Sequence, residues 1–322
     1  MVPLSRPYKV SEIADILGCH LDGDPDYIVH SVGSTSDMHP GMLCYTNAPI
    51  QGPQCVVIAS SVCTDVKATL VVDNPRDSMR ILLTKLFQNE TAEPSIHPTA
   101  IIAADVQIPQ NVTIGPYAVI SSGVRLSEGV VIGPHAVIQS NVTLGKGTHI
   151  AAHAFIDRSV VIGANTKIGV HAVIGDVGFG YDKTDDGWQP IPQVASVVIG
   201  DNVDIGPNTS IDRGTLVHTK ISDGVIIDCN CWIGHGSQIG AHTLMVAMTG
   251  VSGSVKVGSY CVMGGGCKIA DNLQIADKVM LAGCTTVYQS IHAAGAYASG
   301  GPLLPIKKWR RYFAQTKKAY SE

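Results

Sequence analysis

An aliphatic side chain returns at every sixth position from Ile102 through Ile108, Ile114, Ile120, Leu126, Ile132, Ile138, Leu144, Ile150, Ile156, Ile162 and Ile168 to Ile174. A helix repeats at 3.6 residues and a flat strand at 2, so a period of six asks for a short strand and a corner, with the aliphatic always turned to the axis of a solenoid. The register breaks after Gly175, resumes at Ile199, Ile205 and Ile211, breaks again, and runs from Ile221 to Val287. Two insertions, about 176–197 and 212–220, interrupt one long coil. A second spacing is carried by Tyr117, His135, His153 and His171, each eighteen residues after the last, and it makes three short strands one triangular turn. Their rings are expected to stack as a ladder at the spacing of neighbouring strands, about 4.8 Å. Glycine follows many core aliphatics, as at Gly115, Gly133, Gly163 and Gly234, where a corner with positive φ would suit it.

Residues 1–97 lack this register. They mix a helical pattern at Val10–Leu17, and another at about 78–87 after Asn74-Pro75, with strand-like runs at 55–58 and 68–72, so they form a separate α/β domain. Pro94 to Pro98 reads as the linker into the solenoid domain at 98–296. Residues 297–322 form a C-terminal extension whose helix, from Ile306, carries Lys307, Lys308, Arg310 and Arg311. The expected class is mainly β.

Aromatics make up only 5% of the chain against 34 glycines, which fits stacked small and branched side chains. The net charge of −4 gives no overall attraction to nucleic acid, so a basic site must be local, and the helix at the C-terminal end supplies one suited to an acidic carrier protein. No run approaches the ~20 apolar residues of a spanning helix, and the start has no signal-peptide core, so a cytoplasmic protein is expected. Nine cysteines without CxxC pairs argue against a disulfide framework or a zinc knuckle, and no metal is expected.

Forming an amide from a thioester needs a base for the amine, donors for the oxyanion and a leaving thiol. His235, in Ile233-Gly-His-Gly236, stands at a corner with little bulk around it, and Gly253 lies eighteen residues on, one turn above. Phe179 and Tyr181 occupy the first insertion, where aromatics can line a lipid or sugar site.

The repeat resembles the left-handed parallel β-helix of hexapeptide acyltransferases. The domain order, with Gly178-Phe-Gly-Tyr181, Ile191-Pro-Gln193, Ile211-Asp-Arg-Gly214 and Tyr297-Ala-Ser-Gly300, resembles the UDP-3-O-acylglucosamine N-acyltransferase family of lipid A synthesis over nearly the whole chain. The resemblance implies a left-handed coil, a homotrimer with sites between subunits, and an N-terminal uridine-binding domain. It makes His235 the general base, Gly253 the oxyanion donor and Asp228 an acidic residue of the same segment, and it puts Asn47 and Tyr45 near the nucleotide. A 3-hydroxyacyl group would arrive on the phosphopantetheine of acyl carrier protein, which would dock on the basic helix, and pass to a UDP-sugar lipid without a further cofactor. The chain departs from the family at Cys44 and Ile50, where aromatics usually flank uracil, at Asn272, where a second histidine is frequent, and at Val177, where an aspartate is usual.

Three other readings share this scaffold: an N-acetyltransferase using acetyl-CoA, a zinc hydratase suggested by the histidine ladder, and a non-catalytic binding scaffold. Donor competition separates the first and metal analysis the second, while His235 within its glycine frame opposes the third.

Overall fold

The computed structural model describes residues 1–48, 50, 54–87, 94–300 and 305–319, and the chain divides into two compact units, Met1–Thr91 and Ala92–Glu322. The first unit runs β1 (Val2–Lys9), α1 (Val10–Leu17), β2 (His20–Gly23), β3 (Ile28–Val32), β4 (Met42–Tyr45), β5 (Val56–Ala59), β6 (Ala68–Val71) and α2 (Pro75–Leu86). Its sheet has the order β1-β3-β4-β5-β6-β2, parallel from β3 to β6 with both outer strands antiparallel. Helix α1 starts where the Glu12 carboxylate accepts the Lys9 N–H at 2.7 Å and stops at Gly18 in the left-handed region. Helix α2 begins three residues earlier than its apolar periodicity suggests, because Asn74 caps the N–H of Asp77 and Pro75 fits the first helical position. Both helices pack on one sheet face with Val29, Leu43, Val56, Ile58 and Leu70, while Met42, Cys44, Cys55, Val57 and Cys63 fill the other.

In the second unit, strands of two or three residues form three parallel sheets. Pairing is in register at eighteen residues, as in Val131↔His149 and Ile132↔Ile150, and the coil already begins at Ile96, which bridges Ile114. The core aliphatics of the repeat are almost all fully buried in one column. Buried hydroxyls and thiols between them donate to a carbonyl of the following turn: Thr148 to Gly163, Thr209 to Asp228, Ser237 to Ser252, Thr243 to Gly258, Cys261 to Ala276 and Cys267 to Ala282. In this way the narrow interior leaves few polar groups unpaired. The last of the set, Thr285, has a buried hydroxyl with no partner among the described residues.

The rings of Tyr117, His135, His153 and His171 do stack, with centroids 4.9 to 5.0 Å apart and the histidines nearly parallel. Each of these residues has φ between 56° and 60°. The glycines after the core aliphatics differ from expectation. Gly115, Gly133, Gly163 and Gly234 are not in the left-handed region, which falls two residues later in the corner. They are needed because the next turn crosses directly over them. A Cβ on Gly234 would stand 2.7 Å from the Gly253 nitrogen, and one on Gly133 would stand 2.6 Å from the Ala152 nitrogen. Close approach of backbones, not φ, selects glycine there.

Candidate active site

One edge of the solenoid gathers the candidate chemistry. Strands Val173–Ile174, Ser210–Ile211, Trp232–Ile233, Gly250–Val251 and Lys268–Ile269 are consecutive neighbours in one sheet. After each the chain turns at the same edge, delivering in order the first insertion, the second insertion, His235, Gly253 and Asn272. Stacking at eighteen residues thus places on neighbouring turns groups that are far apart in the chain.

The His235 corner is a tight turn closed by the Ser237 N–H on the Gly234 carbonyl at 3.3 Å. Gly236 takes φ 68° and donates its N–H to the Thr219 hydroxyl at 2.9 Å. The half-buried imidazole lies over Gly253: a Cβ there would meet Nε2 at 2.5 Å and Cε1 at 2.8 Å. Among the described residues the Gly253 N–H donates to no acceptor. A cleft of about 320 Å³ opens beside the ring, with Leu216, Val217, Gln238, Ser254 and Lys256 in its walls. A half-exposed imidazole beside a free backbone N–H is the pairing that base-assisted acyl transfer requires.

The insertions are laced together against this corner. A Cβ on Gly178 would stand 2.8 Å from the His235 Cβ and 3.3 Å from the Asp212 Cβ, so only glycine lets the first insertion pass. Gln193 accepts the Thr215 hydroxyl at 2.7 Å, and Ala195 donates to the Gly214 carbonyl. Arg213, only 2% exposed, donates to the carbonyls of Gly175 and Arg158 and pairs with Asp157 at 3.3 Å. Such a buried cation is tolerated because each of these partners satisfies it. Asp212 is also buried, and burial pushes its carboxyl up to about 6 while the Trp232 indole N–H, 3.0 Å from Oδ2, works in the other direction.

The Asp212 shift has a definite sign. Between the ordinary carboxylate value and about 6 the folded protein binds more protons than the unfolded chain, so stability falls as pH rises through that window and levels off above it. Asp212→Asn, which keeps an acceptor for Trp232 and carries no charge, should therefore gain on the wild type from pH 4 to pH 6, reaching about 2 kcal/mol. Urea midpoints across pH 4 to 8 measure it, and a difference independent of pH would refute the assignment.

Comparison with known proteins agrees with this architecture. The family model described as bacterial transferase hexapeptide (six repeats) matches residues 123–158. A UDP-3-O-acylglucosamine N-acyltransferase of Pseudomonas aeruginosa is 36% identical over 318 residues, covering 96% of this chain and 90% of that protein. One of Coxiella burnetii is 34% identical, covering 94% and 92%. The chain belongs to the UDP-3-O-acylglucosamine N-acyltransferase family. It is an acyltransferase. Among solved structures, the Arabidopsis UDP-N-acetylglucosamine acyltransferase superposes with a TM-score of 0.58 at 25% identity, over 68% of this chain and 77% of that one. The LpxA of Acinetobacter baumannii gives a TM-score of 0.51 at 26% identity, over 67% and 77%.

The remaining candidate residues of this family member are placed as follows. Asp228 stands at a different corner of the same turn, at the other end of strand Trp232–Ile233, and its carboxylate accepts the N–H groups of Cys229 and Ala247 at 2.7 and 3.1 Å. Those bonds lower its pKa and make it a corner cap within the chain, like Asp223, which accepts the Asp201 N–H, and Asp277, which accepts that of Ser259. Asn272 donates its N–H to the Gly253 carbonyl at 3.0 Å, so it sits one turn above the glycine with its side chain exposed and bonded to Asp271. Phe179 and Tyr181 are exposed, their rings 5.0 Å apart. Tyr45 and Asn47, both exposed, lie at and just beyond the end of β4, while Cys44 is buried in the sheet face and offers nothing to a base. Lys307, Lys308, Arg310 and Arg311 are exposed on α3 (Ile306–Ala319). Among the described residues no group of three or more His, Cys, Asp and Glu is arranged to hold a metal, and no helix is long and apolar enough to cross a membrane. Asp212, Arg213, Leu216 and Lys256 were missed as site residues. For the first two the signal was their place in Ile211-Asp-Arg-Gly214, where the six-residue register breaks for the second insertion.

Proposed function

We propose that the protein transfers a 3-hydroxyacyl chain from acyl carrier protein to the 2-amine of UDP-3-O-acyl-glucosamine in lipid A synthesis, working as a cytoplasmic homotrimer. The observation that carries this reading is the imidazole of His235 lying on Gly253, with the cleft alongside. The neutral imidazole takes a proton as the amine nitrogen bonds to the thioester carbon. The carbonyl oxygen becomes an oxyanion and accepts the Gly253 N–H. Collapse of the intermediate re-forms the carbonyl and breaks the carbon–sulfur bond, and the departing sulfur takes the proton from the imidazolium. The products are an amide and the free phosphopantetheine thiol. The acyl group arrives already activated as a thioester, so the reaction calls for no cofactor. Lys307, Lys308, Arg310 and Arg311 supply the positive surface that an acidic carrier would meet, and Tyr45 and Asn47 are assigned to the nucleotide end of the acceptor.

The test is N-acylation of UDP-3-O-acyl-glucosamine by the full chain, with a panel of 3-hydroxyacyl carrier-protein thioesters set against acetyl-CoA. Turnover with the carrier thioesters is expected, with one chain length preferred. Turnover with acetyl-CoA alone would replace this reading with the acetyltransferase one.

A further inference from the structure

The first insertion leaves the edge as a two-stranded antiparallel hairpin, Tyr181–Thr184 and Gly187–Pro190, with Tyr181 opposite Pro190 and Lys183 opposite Trp188. This register puts Tyr181, Lys183, Trp188 and Pro190 on one face and Asp182, Thr184 and Gln189 on the other. Phe179, just before the hairpin, leans on Tyr181, and the three rings of Phe179, Tyr181 and Trp188 line a recess of about 340 Å³ with no other lining among the described residues. All three are open to solvent, at 76%, 46% and 67% exposure. A lone two-stranded hairpin is marginal in water, and three bare aromatics on one carry a large uncovered apolar area. Something apolar belongs there.

Its position says what. Gly178, one residue before Phe179, packs on the His235 Cβ. The Gly180 carbonyl accepts the Ile191 N–H, and Gln193 holds Thr215 in the wall of the cleft, so the recess is tied to the reacting corner at both ends of the hairpin. The cleft itself carries Gln238, Ser254 and Lys256, hydrogen-bonding groups and a cation that fit the amide-and-phosphate arm of a thioester donor. The aromatic recess offers ring faces, with the Tyr181 hydroxyl and the Trp188 indole N–H as the polar groups of its lining side chains.

We infer that Phe179, Tyr181 and Trp188 form the subsite for the ester-linked acyl chain already present on the acceptor, with Trp188 as its third wall. This deepens the acyl-transfer reading and rests on it. The ring faces take up methylenes, so the hairpin measures the acceptor's chain while the cleft deals with the donor.

Two measurements test the inference. The first needs no turnover: tryptophan emission of the full chain is followed on adding UDP-3-O-acyl-glucosamine without donor. A blue shift is expected that shrinks as the ester chain is shortened, vanishes with UDP-glucosamine, and is lost in Trp188→Phe. The second is kinetic. The acceptor KM should rise about fourfold for each methylene removed from the ester chain, and this dependence should flatten in Trp188→Ala and Phe179→Ala while the dependence on donor chain length keeps its slope. Three results would overturn the inference: emission blind to ester-chain length in an enzyme that turns over, flattening on the donor side instead, or dissociation of the variants into monomers, which would make the rings a subunit contact. An emission shift without turnover by the wild type would uphold the recess and count against the acyl-transfer reading.

Discussion

His235→Ala is expected to lower kcat by two to four orders of magnitude, about the contribution of a positioned base, and to leave the acceptor KM within a few-fold of the wild type. The residue is a half-buried corner side chain outside the column of core aliphatics, so its removal creates no cavity in the solenoid interior. The turn that carries it is closed by the backbone of Gly234 and Ser237 and by Thr219, none of which the substitution touches. Thermal unfolding should therefore be nearly unchanged. Steady-state kinetics with saturating carrier thioester decides the matter: a loss below about fivefold would mean that the ring only packs on Gly253, and the base would have to be sought elsewhere on the edge.

Gly253→Ala should be nearly as severe, at about 10² to 10³ in kcat, although it adds a single methyl group. The new Cβ would stand 2.5 Å from His235 Nε2 and within 2.9 Å of two ring carbons, so the imidazole must swing away from its place over Gly253. Gly250→Ala is the matched control. It lies three residues earlier on the same turn, has nothing within 4 Å of the added carbon, and should keep activity within about twofold. Because the two groups act on one intermediate, the His235→Ala, Gly253→Ala double variant should lose far less than the product of the single losses. Independent, multiplicative losses would show that Gly253 matters only to folding of its corner.

The solenoid could be read from Ile102 onward because each turn repeats the same local demand, an aliphatic at every sixth position with a corner between. The pairing of turns, too, was local in the sense that a spacing of eighteen residues sets most contacts, lengthened at the two insertions and shortened to sixteen in the last turn. That arithmetic put Gly253 one turn above His235, while their roles came from the resemblance. Asp212 and Arg213 did not follow, because their burial depends on the first insertion folding back: Arg213 reaches Gly175 and Arg158, and no periodicity connects those segments. The corner glycines were misread for a related reason. Their requirement comes from the backbone of the next turn, not from their own φ, and local sequence cannot distinguish the two. In the first unit the helix from Val10 to Leu17 was plain from its apolar spacing, but the strand order β1-β3-β4-β5-β6-β2 rests on non-local pairings that no stretch of chain announces. Likewise Trp188 became meaningful only when the hairpin placed it beside Phe179 and Tyr181.

A chain whose strands pair at a fixed interval can change length only in whole turns or at its loops. Losing one or two residues inside a turn would rotate every later corner and carry core aliphatics such as Ile239 and Ile269 out to solvent, a shift of reading frame at the level of structure. The two natural insertions respect this. Val161 pairs with Val198 and Val198 with Lys220, longer intervals than elsewhere, yet the surplus residues all leave at one edge and the aliphatics return in phase. That edge also carries His235, Gly253 and Asn272, so variation in length is steered to the candidate site and spares the core.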